Sequence, residues 1–426
     1  MTPLPQPLAV LLAERVHEAV TKLEEFNREN GHANLCFKSH TSPQPPLPAD
    51  LQELKESALF SLDRLTALLS GPQEWLRLQY GRGLDMLSLH ALYRYDVPRR
   101  IPKDGDISIS KLAIQCGVDE ESFSRLIQHA VTKYNLLQPR PGYVAHSAVS
   151  ALLASSQPQM DLLGMICEDY WPAFPRTLDA IAKWPEPLHM RPPHHSGHNL
   201  AEGTDVDIFT TMKADPKRSA RFDNAMRAYQ ALPGWEAGSA LEGFDWASLD
   251  PAATVVDVGG GDGTFARALA GRYPSLNTII IQDSPDVVGR VKGLIPAEIS
   301  TRVKAQVHDF FKPQPVQGAD VYFLRKILHD WPDSAAVAIL QQIMPAMKPS
   351  SRIILNEECV PAPGTLPNMK EWETRSRNML LMAVNNGKER SEDEWKKLVE
   401  EADSRLVWKL LKRGETMAIM EISLKE

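Results

Sequence analysis

The chain has 426 residues, 43% hydrophobic and 24% charged, with a formal net charge of −7. That length allows two or three structural units with sizeable cores, and the negative balance argues against a general binder of polyanions. The four cysteines, Cys36, Cys116, Cys167 and Cys359, are far apart and form no CxxC pair, which argues against a disulfide framework or structural zinc and for reduced thiols in the cytoplasm.

The N-terminal stretch lacks a basic leader, and Glu14 and Arg15 break its apolar run. It reads as an amphipathic helix over 8–30, with Leu8, Leu11, Leu12, Val16 and Ala19 on one face, and not as a signal peptide. No apolar run approaches the ~20 residues needed to span a bilayer. Residues 31–50, ending TSPQPPLPAD, read as a linker. Asp50 reads as the N-cap of a second helix over 51–70. Helices this apolar on one face are of the kind that pack against a partner subunit.

The stretch from Gly83 to Ser147 predicts a helix, a short strand at Ile107–Ile109, two helices joined at Gly117, and a two-stranded wing. Ser110 is the expected cap of the first of those two helices. This winged-helix pattern raises a DNA-binding regulator as one reading. The second helix, however, opens Asp119-Glu120-Glu121 with only Arg125 and Lys133 positive, so a structural or dimerisation role is the better expectation. The Pro- and His-rich segment 172–198 contains His194, His195 and His198, but no acid or cysteine stands at regular ligand spacing. A solvated loop near an active-site mouth is expected there in preference to a metal site. The helical stretch DPKRSARFDNAMRAYQAL follows.

From about residue 251 strands alternate with helices. TVVDVGG, NTIIIQD, RVKAQVHDFF, DVYFLRKILHDW and SRIILNEECV each hold a strand, and RLVWKLLKRG with TMAIMEISL predicts an antiparallel edge pair. The βα alternation predicts a parallel, doubly wound sheet with helices on both faces.

The first strand ends Asp257-Val-Gly259-Gly-Gly261-Asp-Gly263. Such glycines bring the backbone close to a ligand, and the helix that follows offers free N–H groups. The dinucleotide spacing G-x-G-x-x-G fails, because Thr264 stands where its last glycine belongs. The second strand ends at Asp283, an acid suited to ribose hydroxyls. Loop and acid together point to a nucleoside-containing ligand, whereas an isolated Asp at a strand end is a cap or a turn.

These residues carry a resemblance. VVDVGGGDGTFARALAGRYPSLNTIIIQDSPDVV resembles the first two motifs of plant- and fungal-type O-methyltransferases that use S-adenosylmethionine (SAM). NLAEGTDVDIF and the winged-helix pattern resemble the same family, so the likeness runs from about residue 50 to the end. The resemblance implies SAM as cofactor and a homodimer. It places Asp257, Gly259 and Gly261 by the methionine end, Asp283 on the ribose, and His308-Asp309-Phe310 beside the adenine. It also puts Arg325 near the cofactor. Trp331 is a candidate to pack over the adenine.

His329 follows the fourth strand, at the end where ligands sit in such sheets. O-methylation needs a hydroxyl to lose its proton, and histidine accepts one near neutral pH. By resemblance Glu358 and Glu389 flank that histidine, with Glu357 an alternative to Glu358 if the neighbouring acid takes that face. Met379, Met382 and Asn385 precede Gly387 and are candidates for the acceptor pocket, although methionines at helical spacing also fill cores. Trp171 and Phe174 are further pocket candidates.

One position departs from the family, which often has an apolar or aromatic residue three places before the histidine. Here it is Lys326. The plain reading is a solvent-facing lysine. The sharper one is a cation that polarises a substrate carbonyl. Some fungal proteins resembling this family bind SAM yet catalyse dehydration and pericyclic ring closure, so that chemistry is the alternative function. The expectation is therefore an α/β chain: residues 1–175 a mainly helical winged-helix dimerisation domain, and 176–426 a Rossmann-like SAM-binding domain with an antiparallel sheet edge. It acts on a small molecule, without nucleic acid, membrane or metal.

Overall fold

The computed structural model describes residues 6–38, 47–232, 234–366, 368–414 and 416–425. Most of the Pro-rich half of the expected linker, residues 39–46, lies outside the described residues. The chain forms two compact units, Met1–Glu168 with Gly364–Glu373, and Asp169–Pro363 with Thr374–Glu426.

The first unit opens with the helix Leu8–Glu29. Its long second helix runs Ala49–Arg94 and breaks at Gly71, whose φ of 65° and ψ of 173° are not helical. The break has a local cause: Pro72 disfavours the helical conformation of the residue before it. Asp50 lies in the first turn of this helix and not at its cap, which is Pro48. Strand β1 (Asp106–Ser108) leads into the helix Ile109–Cys116. Ser108, not Ser110, caps that helix, accepting from the Lys111 N–H at 3.2 Å. The strand ends one residue earlier than expected, so its last side chain is free to cap. Gly117 ends the helix with φ 67°, and Asp119 caps the next, Glu120–Thr132. Strands β2 (Leu136–Leu137) and β3 (Tyr143–His146) complete an antiparallel sheet in the order β1-β3-β2. Leu92, Leu112, Phe123, Ile127, Leu136 and Val144 form the core of this part.

The second unit is built on a seven-stranded sheet. Its strands are β4 (Thr254–Val258), β5 (Thr278–Asp283), β6 (Val303–Val307), β7 (Val321–Arg325) and β8 (Arg352–Glu357), followed after a short parallel pair, β9 (Cys359–Val360) and β10 (Arg390–Ser391), by β11 (Leu406–Arg413) and β12 (Ala418–Leu424). The spatial order is β11-β12-β8-β7-β4-β5-β6. The five strands β4 to β8 run parallel, and β12 and β11 add antiparallel at the edge, as the sequence predicts. Side chains alternate along each strand, so both faces are apolar. Tyr322 and Leu324 of β7 pack with the helices Asp333–Ile343 and Glu392–Ala402. Val321 and Phe323 pack on the other face with Trp246 and the helix Thr264–Arg272. Each fully buried Val, Leu, Ile or Phe contributes about 1.5–3 kcal/mol relative to exposure.

The strand order reverses at β4, whose neighbours β5 and β7 are reached by crossovers in opposite directions. That arrangement opens a crevice at the carboxyl ends of β4 and β7. The His- and Pro-rich segment is more ordered than the loop expected from its composition. It contains a 3₁₀ turn, Trp171–Arg176, and the helices Thr177–Lys183 and Gly197–Glu202. His198 is buried with Nε2 3.2 Å from Thr211 Oγ1, and the His195 ring stacks on Trp184 at 4.6 Å. No helix among the described residues is long and apolar enough to cross a membrane.

Candidate active site

The first wall of the crevice is the loop after β4. The chain turns through Gly259, Gly261 and Gly263, all at positive φ. A Cβ at Gly259 would lie 2.4 Å from Ile327 Cδ1, so the backbone approaches the neighbouring turn more closely than a side chain allows. The Gly261 N–H donates to Asp283 Oδ2 at 3.0 Å, and the Ser284 N–H donates to Oδ1 at 2.7 Å. Asp283 is thus oriented by the loop it faces. Asp257 is buried, and its Oδ2 has no hydrogen-bond partner among the described residues. Burial pushes this carboxyl up to about 7, Arg325 opposes the rise, and Asp283 and Asp262 add to it. A buried carboxylate oxygen without a donor is a ready acceptor for an ammonium group.

His308 continues the loop network, its N–H donating to Asp283 O at 3.0 Å. Asp309 is exposed and accepts from the Phe311 N–H at 2.9 Å. Phe310 and Trp331 stand 6.0 Å apart at 76°, with Phe311 4.8 Å from Trp331. The Arg325 guanidinium donates to the Trp235 carbonyl. Glycine loop, unpartnered Asp257 oxygen, Asp283 and aromatic edge fit the amino-acid, ribose and adenine parts of SAM.

The second wall is the turn after β7, where His329 is buried. Its Nδ1 lies 2.9 Å from Glu389 Oε1 and its Nε2 3.5 Å from Asp330 Oδ1. Burial disfavours the charged ring, yet Glu389, Asp330 and Glu357 outweigh it and hold His329 up to about 9. Glu389 is buried too. Its burial penalty is outweighed by His329, with Lys326 and Arg377 helping, and it sits at about 2.

The backbone of the turn is clamped from several sides. Glu357 Oε1 accepts from the N–H groups of Ile327 and Leu328, each at 2.8 Å. Arg390, fully buried, donates to the carbonyls of Leu328 and Trp331 and to Asp333 Oδ1, each at 2.8 Å. The Lys388 N–H donates to His329 O at 2.7 Å, and Asn385 Nδ2 to Asp330 O at 2.8 Å. Gly387 permits this contact, because a Cβ there would lie 2.5 Å from His329 O.

The structure separates the acids that the sequence grouped. Glu389 contacts the imidazole, Glu357 supports its backbone, and Glu358 instead meets Arg377, Oε1 to Nε at 2.6 Å. Burial and the neighbouring Glu389 push Glu358 up to about 7, against Lys326 and Arg377. Lys326 is not a solvent-facing lysine. Its backbone has φ 55°, a strained value for a non-glycine residue. Its Nζ is inaccessible, lies 3.3 Å from the Trp235 ring centroid, and has no hydrogen-bond acceptor among the described residues. Burial lowers its pKa, with Glu389 and Glu358 opposing.

Of the acceptor-pocket candidates, Asn385 is tied to the histidine turn by its bond to Asp330. Met382 is half-buried, and Met379 is 65% exposed. Ala173, in the turn that carries Trp171 and Phe174, packs with Ala383 and Val384 beside Met382. Trp171 is half-buried and Phe174 is 38% exposed. Arg377, Trp235, Arg390 and Asp330 were not picked out from the sequence. Arg390 adjoins Glu389 and Asp330 adjoins His329, which was a usable signal. Nothing in the spacing marks Arg377 or Trp235.

The chain is similar to known proteins over most of its length. An O-methyltransferase domain model matches residues 194–404. The grayanic acid biosynthesis cluster O-methyltransferase of Cladonia grayi is 36% identical over 397 residues, 92% of this chain and 82% of that protein. Among solved structures, one described as a pericyclic reaction enzyme is 25% identical with a TM-score of 0.73, covering 88% of this chain and 95% of its own. LepI in complex with SAM is 24% identical with a TM-score of 0.74, covering 97% and 100%, a likeness of fold.

Proposed function

The chain belongs to the SAM-dependent O-methyltransferase family, and from that membership we propose that it methylates a hydroxyl of a small secondary metabolite with His329 as general base. Bound SAM supplies a methyl carbon activated by its sulfonium and leaves as S-adenosylhomocysteine. Asp257 would hold the amino group, Asp283 the ribose, and Phe310 and Trp331 the adenine side, with Gly259 and Gly261 allowing close approach, Asp309 beside them and Arg325 on the neighbouring strand end.

The observation that carries this reading is the 2.9 Å contact between His329 Nδ1 and Glu389. An ionised carboxylate only accepts, so Nδ1 donates, and Nε2 is the nitrogen left to take a proton from an acceptor hydroxyl. With the ring held up to about 9, Nε2 carries a proton in most ligand-free molecules at neutral pH. The neutral ring takes the hydroxyl proton at Nε2, so transfer rises with pH towards about 9, and the freed oxygen is the nucleophile. The remaining demand is alignment, which the clamped backbone of the turn supplies. Met382, Asn385, Trp171, Phe174 and the more exposed Met379 are the proposed acceptor-pocket residues. The exposed apolar side chains Leu8, Val10, Leu68 and Leu76 on the helices of the first unit support a homodimer through that unit.

Incubation of the purified protein with SAM and a panel of phenols tests the proposal. Methylated product with equimolar S-adenosylhomocysteine is expected, and His329→Ala should slow its release about 100-fold or more.

The alternative, dehydration or ring closure with SAM bound but not consumed, is favoured by one observation, the buried Lys326 ammonium without an acceptor. There Lys326 and His329 would polarise a substrate carbonyl. Product formed without S-adenosylhomocysteine, and lost in Lys326→Met, would establish this chemistry in place of methyl transfer.

A further inference from the structure

Glu358 and Glu389 are both buried acids near His329, but their partners differ. Glu389 Oε1 holds the imidazole at 2.9 Å, whereas Glu358 Oε1 lies 2.6 Å from Arg377 Nε. Arg377 Nε is also 3.8 Å from Glu389 Oε1, so one guanidinium stands between two carboxylates and leans on the first. The Trp235 ring lies over it at 5.2 Å and carries the Lys326 ammonium as well. Glu389 Oε2 is buried and has no hydrogen-bond partner among the described residues.

We propose that Glu358 is a positioning residue that holds Arg377 off Glu389, which leaves Glu389 free to orient His329. The inference rests on His329 being the base, and it gives Glu358 an indirect part. A guanidinium pairs with a carboxylate through two parallel N–H bonds, more strongly than a single imidazole N–H does. With Glu358 neutralised, Glu389 is the other carboxylate that the described ion pairs place beside Arg377 Nε, and its vacant Oε2 completes a two-pronged acceptor. Glu389 would then answer to Arg377, and His329 would lose its orienting partner.

The other charged groups facing His329 are Asp330 on its own turn, Glu357 on β8 and the Lys326 ammonium. Asp330 and Glu357 are untouched in a Glu358→Gln protein, and Lys326, whose charge Glu358 supports, becomes only less cationic, which does not lower the His329 midpoint. What lowers it is a cation moved closer and an anion drawn away, since both disfavour the imidazolium.

The test is the titration of His329 in ligand-free full-length protein carrying ¹³C-labelled histidine, with the resonance assigned by its loss in His329→Ala. Glu358→Gln should lower the His329 midpoint by about one pH unit, roughly tenfold in proton affinity. The double variant Glu358→Gln with Arg377→Met should bring the midpoint back towards wild type, since the competing cation is gone. An unchanged midpoint in Glu358→Gln, or a double variant that stays at the single variant's value, overturns the proposal. If Glu358→Gln does not fold, Glu358→Asp carries the same test, because it keeps the charge but withdraws it from Arg377. A His329→Ala protein that releases S-adenosylhomocysteine at the wild-type rate would instead refute the base assignment, and the titration would still decide what Glu358 does.

Discussion

Replacing Glu389 by glutamine removes the main support of the His329 charge while keeping the side chain's shape. His329 is held at about 9 against an ordinary 6.5, a difference worth roughly 3 kcal/mol between the charged and neutral ring. Burial alone would lower it, so the rise is owed to Glu389 first and then to Asp330 and Glu357. In Glu389→Gln the midpoint should fall by two units or more. The sign for stability follows from a folded-state value above the unfolded one. The contribution is fully present below pH 6.5 and is lost as pH rises through about 9. Wild-type protein should therefore lose melting temperature between pH 6.5 and 9, and the variant should show a flatter profile there. The same variant should lower kcat about 100-fold, because the base is no longer oriented. Histidine-resolved NMR titration and melting curves at pH 6 to 10 read both effects. A His329 midpoint that stays near 9 in the variant would refute the assignment of Glu389 as its support.

Asp257→Asn should weaken SAM binding at least about tenfold by calorimetry, since a neutral amide no longer attracts an ammonium. The same change should raise the melting temperature of ligand-free protein at pH 8, because an acid held at about 7 when folded opposes folding once pH exceeds its unfolded value near 3.8; unchanged affinity would place the amino group elsewhere. Gly387→Ala should cost both activity and stability, by about 1–3 kcal/mol, since the new methyl meets the rigid carbonyl of His329 at 2.5 Å. A variant with wild-type kcat would show that this contact does not position the turn. Saturating SAM should lower the His329 midpoint more than saturating S-adenosylhomocysteine does, because only the former adds a positive charge to the crevice. Equal midpoints in the two complexes would place the sulfonium away from the histidine.

Much of the sheet was readable because its determinants are local. Strands buried on both faces appear as short, nearly continuous apolar runs such as TVVDV and RIILNE, and the helices between them carry their own period. The glycine loop and Asp283 were legible for the same reason, since positive φ and close approach are demands on single residues. Where neighbouring residues competed for one role, sequence alone decided less well. Ser108 rather than Ser110 caps its helix, whereas the expected end of a helix at residue 70 meets the break at Gly71.

The composition of the site could be read from the chain, but not who touches whom within it. Glu357 and Glu358 are adjacent acids, and only the path of the backbone after β8 sends one to the His329 turn and the other to Arg377. Sequence leaves Lys326 as either a solvent-facing lysine or a cation beside the substrate, and it is the Trp235 ring lying on it, 91 positions earlier in the chain, that excludes the first. Sequence determines the chemistry each residue carries and the period of each element. The pKa of His329 and the pairing of Arg377 depend instead on desolvation and on charges within a few ångströms, and those are set only when distant segments pack together.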